Sequence, residues 1–360
     1  MKTIGWLISR MILLRFVMIL TGISVFVVSL TLVTYSEEIL KIGAETNNNS
    51  AILDYALLLM PVTASTFMAI SVLLAILLAL VELSYRSELT AIWATGLSPL
   101  RVMIMLLPMS LVMGGVTFLI ADQGVPRVTP QLINWGIGEY GRKKAGSGDG
   151  KVIWLRSGND IVRASRANAN ATELEDITIF RRDTDGRLTE QIDARTAVLT
   201  GERWQLDNVI IYHAENVQPN RIQRMVYSGN MRPAREGKRS GEPAEMSTVD
   251  LGYFISNEGF GIKPVHVFET WWHRRISLLL TPFLMIVLCI PLAVKFKRGG
   301  AAGRLFMIGL ALGFTFSIFE GIALTMGEVG FVPPWFGAWA PFLVYSALAA
   351  AMTFKAETVT

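Results

Sequence analysis

Few side chains in this 360-residue sequence could do covalent chemistry. The histidines are His213, His266 and His273, and the one cysteine is Cys289. No histidine has a second ligand at metal-binding spacing, so no metal is expected. There is no Gly-x-x-x-x-Gly-Lys-Ser/Thr run to cradle a phosphate and no Gly-x-Ser-x-Gly nucleophile elbow. Cys289 sits in an apolar run, where a lone cysteine reads as a small core residue. An enzyme is not indicated, and no cofactor is expected on this chain. The informative residues are instead charges set where charge is costly.

The first group is a short loop, Tyr85-Arg86-Ser87-Glu88-Leu89-Thr90-Ala91-Ile92-Trp93-Ala94-Thr95-Gly96-Leu97-Ser98-Pro99. Ser87 can cap a helix and Glu88 then lies in its first turn, where an acid suits the helix dipole. Leu89, Ile92 and Trp93 fall at i, i+3 and i+4 and make one apolar face. Gly96 can supply a left-handed end, and Pro99 stops continuation. The spacing predicts a two-turn helix over about 85–97 with a protruding acid. Such a helix can lie on a bilayer surface or dock on a partner that offers Arg or Lys.

The second group is Glu37, Glu38 and Lys41. A lysine there can anchor at a membrane interface or meet a lipid phosphate. Glu37 and Glu38 stand at i−4 and i−3 from it, so a helical ion pair is also expected. Arg127 is a similar basic candidate. Glu320 is an acid inside an apolar run, which marks either a functional site or a helix–helix hydrogen bond. Phe67 is the only aromatic residue between Ala56 and Ser84, suited to packing or to a lipid tail. Met326, in the same run as Glu320, joins the lipid-contact set.

The elements that position these groups follow from composition. The chain is 52% hydrophobic and 17% charged, against about 25% charged in globular domains. Of its 33 basic and 29 acidic residues, 18 and 16 lie between Gly141 and Asp250. A polar block therefore sits between two halves that avoid charge. This excludes a single soluble domain and a disordered chain. A net charge of +4 reflects basic loops at a membrane, not a nucleic-acid surface, because acids and bases are interspersed.

A membrane helix needs about 20 apolar residues. Phe16–Tyr35, Tyr55–Val81, Val102–Ala121, Ile276–Val294 and Val329–Phe354 are free of charge, and Leu305–Gly327 carries only Glu320. This predicts six spans, three on each side of the polar block. The first reads as a span, not a cleaved leader, because its run is too long. Lys2, Arg10 and Arg15, then Arg86 and Arg101, then Lys295, Lys297, Arg298 and Arg304 share one side, by the positive-inside bias the cytoplasm. The termini are then cytoplasmic, and the block from about Asp122 to Arg275 lies opposite. The divisions are 1–122, 123–275 and 276–360.

Inside the block, Lys151–Arg156, Asp160–Ala164, Asp176–Arg181, Ala194–Leu199, Trp204–Tyr212 and Arg221–Tyr227 read as short strands separated by turns. An all-β sandwich, barrel or jellyroll is expected. Arg232–Glu245 reads as an exposed loop.

This layout resembles the LptF/LptG permeases, which extract lipopolysaccharide from the inner membrane of Gram-negative bacteria. The resemblance covers essentially the whole chain. It is carried by Arg86-Ser87-Glu88-Leu89 through Gly96-Leu97, by Trp272–Val294 with Pro282, and by Gly330-Phe331-Val332-Pro333-Pro334 through Trp339-Ala340-Pro341. The Arg-Ser-Glu-Leu and Val-Pro-Pro wording is more similar to LptG. The resemblance implies a fold of six transmembrane helices with an inserted periplasmic β-jellyroll. It implies an LptF-type permease, a dimer of the ATPase LptB, the single-span protein LptC, lipopolysaccharide and membrane lipids as partners, with ATP held by the ATPase. Arg86, Ser87, Glu88, Leu89, Ile92 and Gly96 then form the coupling helix. The resemblance also implies that Lys41 meets head-group phosphates, although Thr34 and Leu40 stand where LptG proteins can carry Lys. The rival readings are a secondary transporter using Glu320, a scaffold or sensor, and a lipoprotein-release type permease.

The orientation is testable with Cys289 replaced. A cysteine at Ser240 is expected to react with an impermeant thiol reagent from the periplasm, and one at Gly299 only after the inner membrane is opened. The reverse pattern inverts the topology.

Overall fold

The computed structural model describes residues 2–94, 96–146, 152–166, 173–183, 186–200, 203–214, 218–229, 242–256, 263–295 and 302–357. Ser240, Gly299, Lys297, Arg298 and most of the Arg232–Glu245 loop lie outside them. The helices are α1 (Lys2–Thr34), α2 (Ser36–Glu45), α3 (Ala51–Tyr85), α4 (Glu88–Ala94), α5 (Pro99–Leu119), α6 (Val125–Trp135), α7 (Glu139–Gly146), α8 (Thr248–Ser256), α9 (Val265–Leu278), α10 (Thr281–Lys295), α11 (Ala302–Val329) and α12 (Pro334–Glu357). The strands are β1 (Val152–Ser157), β2 (Asp160–Arg166), β3 (Glu173–Arg182), β4 (Leu188–Thr200), β5 (Arg203–His213) and β6 (Asn220–Tyr227). The chain divides into two compact units. One is Met1–Val128 with Thr270–Thr360, and the other is Thr129–Glu269.

Among the described residues five helical stretches are long and apolar enough to cross a membrane: Ile4–Thr34, Ala51–Tyr85, Pro99–Trp135, Gly303–Val329 and Pro334–Lys355. The expected fourth span is not one straight helix. It is α9 and α10, bent by 54°. Pro282 explains the break, since proline lacks the N–H that would continue the ladder to the Leu278 carbonyl and its ring crowds that carbonyl. Backbone groups freed in an apolar layer must be satisfied internally. Here the Thr281 hydroxyl donates to the Ser277 carbonyl at 3.2 Å, and the Leu280 N–H donates to the same carbonyl at 3.1 Å. The Ser277 hydroxyl donates to the Arg274 carbonyl at 2.9 Å.

The break docks on α5. A Cβ at Gly114 would collide with the Leu279 carbonyl, whereas a Cβ at the adjacent Gly115 would meet nothing. Small residues let helix backbones approach where lipid offers no hydrophobic driving force. Gly309 and Gly313 do the same for α11, whose close neighbours are Leu77 and Leu73 of α3. The buried centre is made by α3 (Ala75, Ile76, Leu77, Leu80) and α10 (Ile286, Leu288, Cys289, Ile290). By contrast, only 17% of the α1 window and 22% of the α11 window are buried, against 50% for α3. These two helices keep uncovered apolar faces.

The second unit carries one six-stranded antiparallel sheet in the order β1-β2-β3-β4-β5-β6. All six expected strands are present. Two parts of the expectation change. The unit is not all-β, because α7 and α8 fall wholly within it; α7 is short and polar, and α8 is a short apolar stretch that buries Leu251 and Phe254. The strand order is a meander, without the crossing connections of a jellyroll among the described strands. The sheet does curl: Tyr227 at the end of β6 donates to Asp160 at the start of β2, 2.8 Å away. Burial pushes the Tyr227 phenol above its ordinary pKa, so it stays a donor.

The curl has a local cause. In β4 the buried positions run Ile192, Ala194 and then Ala197; in β5 they run Trp204, Leu206 and then Val209, Ile211; in β3 Leu174 is followed by Ile177, Ile179. The two-residue alternation slips by one at a line across the sheet near Asp176, Arg195 and Asn208. Asp176 (φ 48°) and Asn208 (φ 55°) are left-handed there, a conformation that Asp and Asn tolerate best after Gly. The slip creases the sheet, so both sides of the line feed one core.

Gly114→Val is expected to lower the thermal midpoint in detergent by roughly 5–10 °C, because overpacking against a backbone carbonyl costs about 1–3 kcal/mol. Gly115→Val, which shares the change in helix propensity, is expected to leave it unchanged. Equal effects would remove the docking role of Gly114.

Candidate functional site

The loop between α3 and α5 forms as the spacing predicts. Leu89 is buried at 2% exposure, and Ile92 and Trp93 pack on the same core. Gly96 is left-handed (φ 77°), and its N–H donates to the Trp93 carbonyl at 3.1 Å. Pro99 opens α5, with the Ser98 hydroxyl accepting from the Arg101 N–H. Ser87 differs from the expected cap. It is itself left-handed (φ 60°), and among the described residues its hydroxyl makes no capping bond. Its carbonyl instead accepts from the Ala91 N–H at 3.2 Å. Thus α4 is one face pinned to the bundle and one face with Arg86, Ser87 and Glu88 exposed.

Behind the loop is an acid the apolar pattern hid. Glu82 lies just past the charge-free run of α3, and it pairs with Arg86 at 2.7 Å and with Arg15 of α1. The spacing signal was available, since Arg86 is at i+4 from Glu82. The Arg15 partner is a tertiary contact that spacing does not reveal. Through Glu82 the root of α4 is tied to α1.

At the other end, α2 holds Glu37 and Lys41, both exposed. The helix gives the expected spacing, but among the described residues no ion pair joins Lys41 to Glu37 or Glu38. An exposed pair gains only about 0.3–0.5 kcal/mol, too little to hold two long side chains. Lys41 therefore presents an uncommitted cation. Arg127 is exposed and donates to the Gln123 side-chain oxygen at 3.3 Å. Phe67 is half-buried and lies outside the core cluster of the unit.

Glu320 and Met326, both on α11, separate. Met326 lines an open apolar groove of about 600 Å³ with Ser317, Ile318, Gly321, Ile322 and Phe331. Glu320 is not among its walls. Its carboxylate accepts from Arg274 of α9 at 3.0 Å, with both side chains largely buried. Nearby, Trp271 donates to Glu328, again linking α9 to α11. Arg275 is buried at 3% exposure. A buried acid paired with a guanidinium is the helix–helix bond that the sequence offered as one of two readings of Glu320. Among the described residues no group of three or more His, Cys, Asp or Glu could hold a metal.

A polytopic helical bundle with a short amphipathic helix at one end, uncovered apolar faces on two spans and an inserted β unit has the layout of a multi-pass membrane protein. The comparisons narrow this. The family model described as lipopolysaccharide export system permease LptF/LptG matches residues 6–355. The lipopolysaccharide export system permease protein LptG of Haemophilus influenzae is 25% identical over 324 residues, covering 87% of this chain and 88% of that protein. Its counterpart in Escherichia coli K12 is 22% identical over 293 residues, covering 80% and 81%. The chain belongs to the LptF/LptG family of lipopolysaccharide export permeases, and both of these relatives are LptG.

Arg274→Met is expected to destabilise the detergent-solubilised protein by about 3–5 kcal/mol, because it strands the Glu320 charge. Adding Glu320→Met is expected to recover most of the loss. A double variant no more stable than the single one would show that the pair does not act as a unit.

Proposed function

We propose that this chain is the LptG-type subunit of an ABC transporter that extracts lipopolysaccharide from the inner membrane and passes it to a periplasmic bridge. The observation that carries the reading is α4, with Leu89 locked in the bundle and Glu88 exposed beside it. A helix built this way transmits force: its apolar face cannot slide freely, and its acid can meet a basic residue of a partner ATPase. The chain has no nucleotide site motif of its own, so the energy comes from that partner, an LptB dimer. The Glu82 pairs with Arg86 and Arg15 carry displacement of the loop into α1.

The uncovered faces of α1 and α11 suit a lipid cavity completed by an LptF-type permease, with LptC at the same assembly. Acyl chains meet the α11 groove around Met326 and the Phe67 side chain, and head-group phosphates meet Lys41 and Arg127. The curled β unit, on the periplasmic side, then receives the lipid in a jellyroll-like groove. The N- and C-termini are cytoplasmic in this reading.

Glu88→Lys is expected to weaken capture of the ATPase by a tagged chain at least about tenfold, since truncating or reversing a buried charge pair costs about 2–5 kcal/mol. Membrane insertion stays intact. Undiminished capture together with normal lipid release contradicts the coupling role. At the lipid site, Lys41→Glu is expected to reduce lipopolysaccharide crosslinking to a photoreactive residue at Phe67, and Lys41→Arg is expected to preserve it. Parental crosslinking in Lys41→Glu makes Lys41 an interfacial anchor only.

A further inference from the structure

A second apolar groove, of about 630 Å³, opens between the first turns of α1 and the first half of α5. Its walls include Trp6, Leu13, Met105, Pro108 and Val112. One charge enters it. Arg10 is exposed, and among the described residues it makes no ion pair. Its guanidinium lies over the Trp6 ring, 5.5 Å from the centroid. Trp6 is one turn toward the N-terminus, so the cation is drawn back along the helix while the groove continues past Leu13 into the apolar layer.

We propose that this groove binds one anionic glycerophospholipid from the leaflet facing the N-terminus. The phosphate sits on Arg10 and one acyl chain runs along Leu13, Pro108 and Val112. Four features support this occupant. The cation lacks an internal counter-ion, and such a charge at a span is normally paired. Basic pockets between membrane helices on this side suit anionic head groups. The Trp6 ring holds the guanidinium in place before binding, which reduces the ordering needed when a phosphate arrives. The walls beyond Arg10 are apolar, which matches a chain and not a second head group. A zwitterionic lipid brings its own ammonium to compete with Arg10, so net-anionic lipids are selected. The proposal does not depend on which lipid the transporter exports.

The test is native mass spectrometry of the full chain released from nanodiscs of equal phosphatidylglycerol and phosphatidylcholine. One retained phosphatidylglycerol is expected. Arg10→Gln is expected to reduce that occupancy about tenfold, in line with loss of a charged hydrogen bond. Arg304→Gln, an exposed cation outside the groove, is expected to leave it intact. Val112→Trp, which fills the groove but spares Arg10, is expected to lose the lipid at an unchanged thermal midpoint. Parental retention in Arg10→Gln or in Val112→Trp overturns the proposal. So does equal retention of phosphatidylcholine, or a groove crosslinked to a protein partner in place of lipid.

Discussion

An apolar layer penalises a free backbone group and a free charge alike, and the broken fourth span has to satisfy both. At Leu279–Leu280 the fourth span breaks, and α9 leaves α10 at 54°. The break survives because Ser277 and Thr281 absorb freed carbonyls and Gly114 admits the Leu279 carbonyl against α5. On the far side of the break, Arg274 neutralises Glu320 of α11, and Trp271 donates to Glu328. One kink therefore sets the position of three spans. With α10 and α3 filling the centre, α1 and α11 are left at the outside with apolar faces that only lipid or another chain can cover.

The two ends of the bundle are built on different logic. At the N-terminal end, Arg15, Glu82 and Arg86 link α1, α3 and the root of α4, while Arg10 is left without an ion pair among the described residues. These pairs join three elements at that end. At the other end, Lys41 and Arg127 are exposed and only lightly engaged, with one weak bond from Arg127 to Gln123. Uncommitted cations at a membrane edge lose little by turning to a phosphate.

Much of this was legible in the sequence. Five spans, six strands and the α4 helix follow from apolar run length, two-residue alternation, and the Gly96–Pro99 ending. What was hidden depends on contacts between distant residues. Glu320 stood between a functional site and a helix–helix bond because its partner Arg274 is 46 positions away in sequence. Glu82 was missed because it sits at the margin of an apolar run. The broken span passed as one because Ile276–Val294 is uninterrupted in composition, and only Pro282 hinted at the kink. In the sheet, the crease at Asp176 and Asn208 breaks the alternation in mid-strand, so Glu173–Arg182 reads shorter than it is. Assignment to the family came from whole-chain order, which no single motif carries.

In the function we propose, this chain converts work done by a separate ATPase into lipid movement. The direct measurement is lipid release from proteoliposomes containing the assembled permease pair with lipopolysaccharide, scored with ATP and ATPase subunit, with ATP alone, and with a proton gradient alone. Release is expected only when ATP and the ATPase subunit are both present, and it should survive collapse of the gradient. Release driven by the proton gradient without the ATPase, and abolished by Glu320→Gln, would contradict the account and return Glu320 to the role of a carrier site.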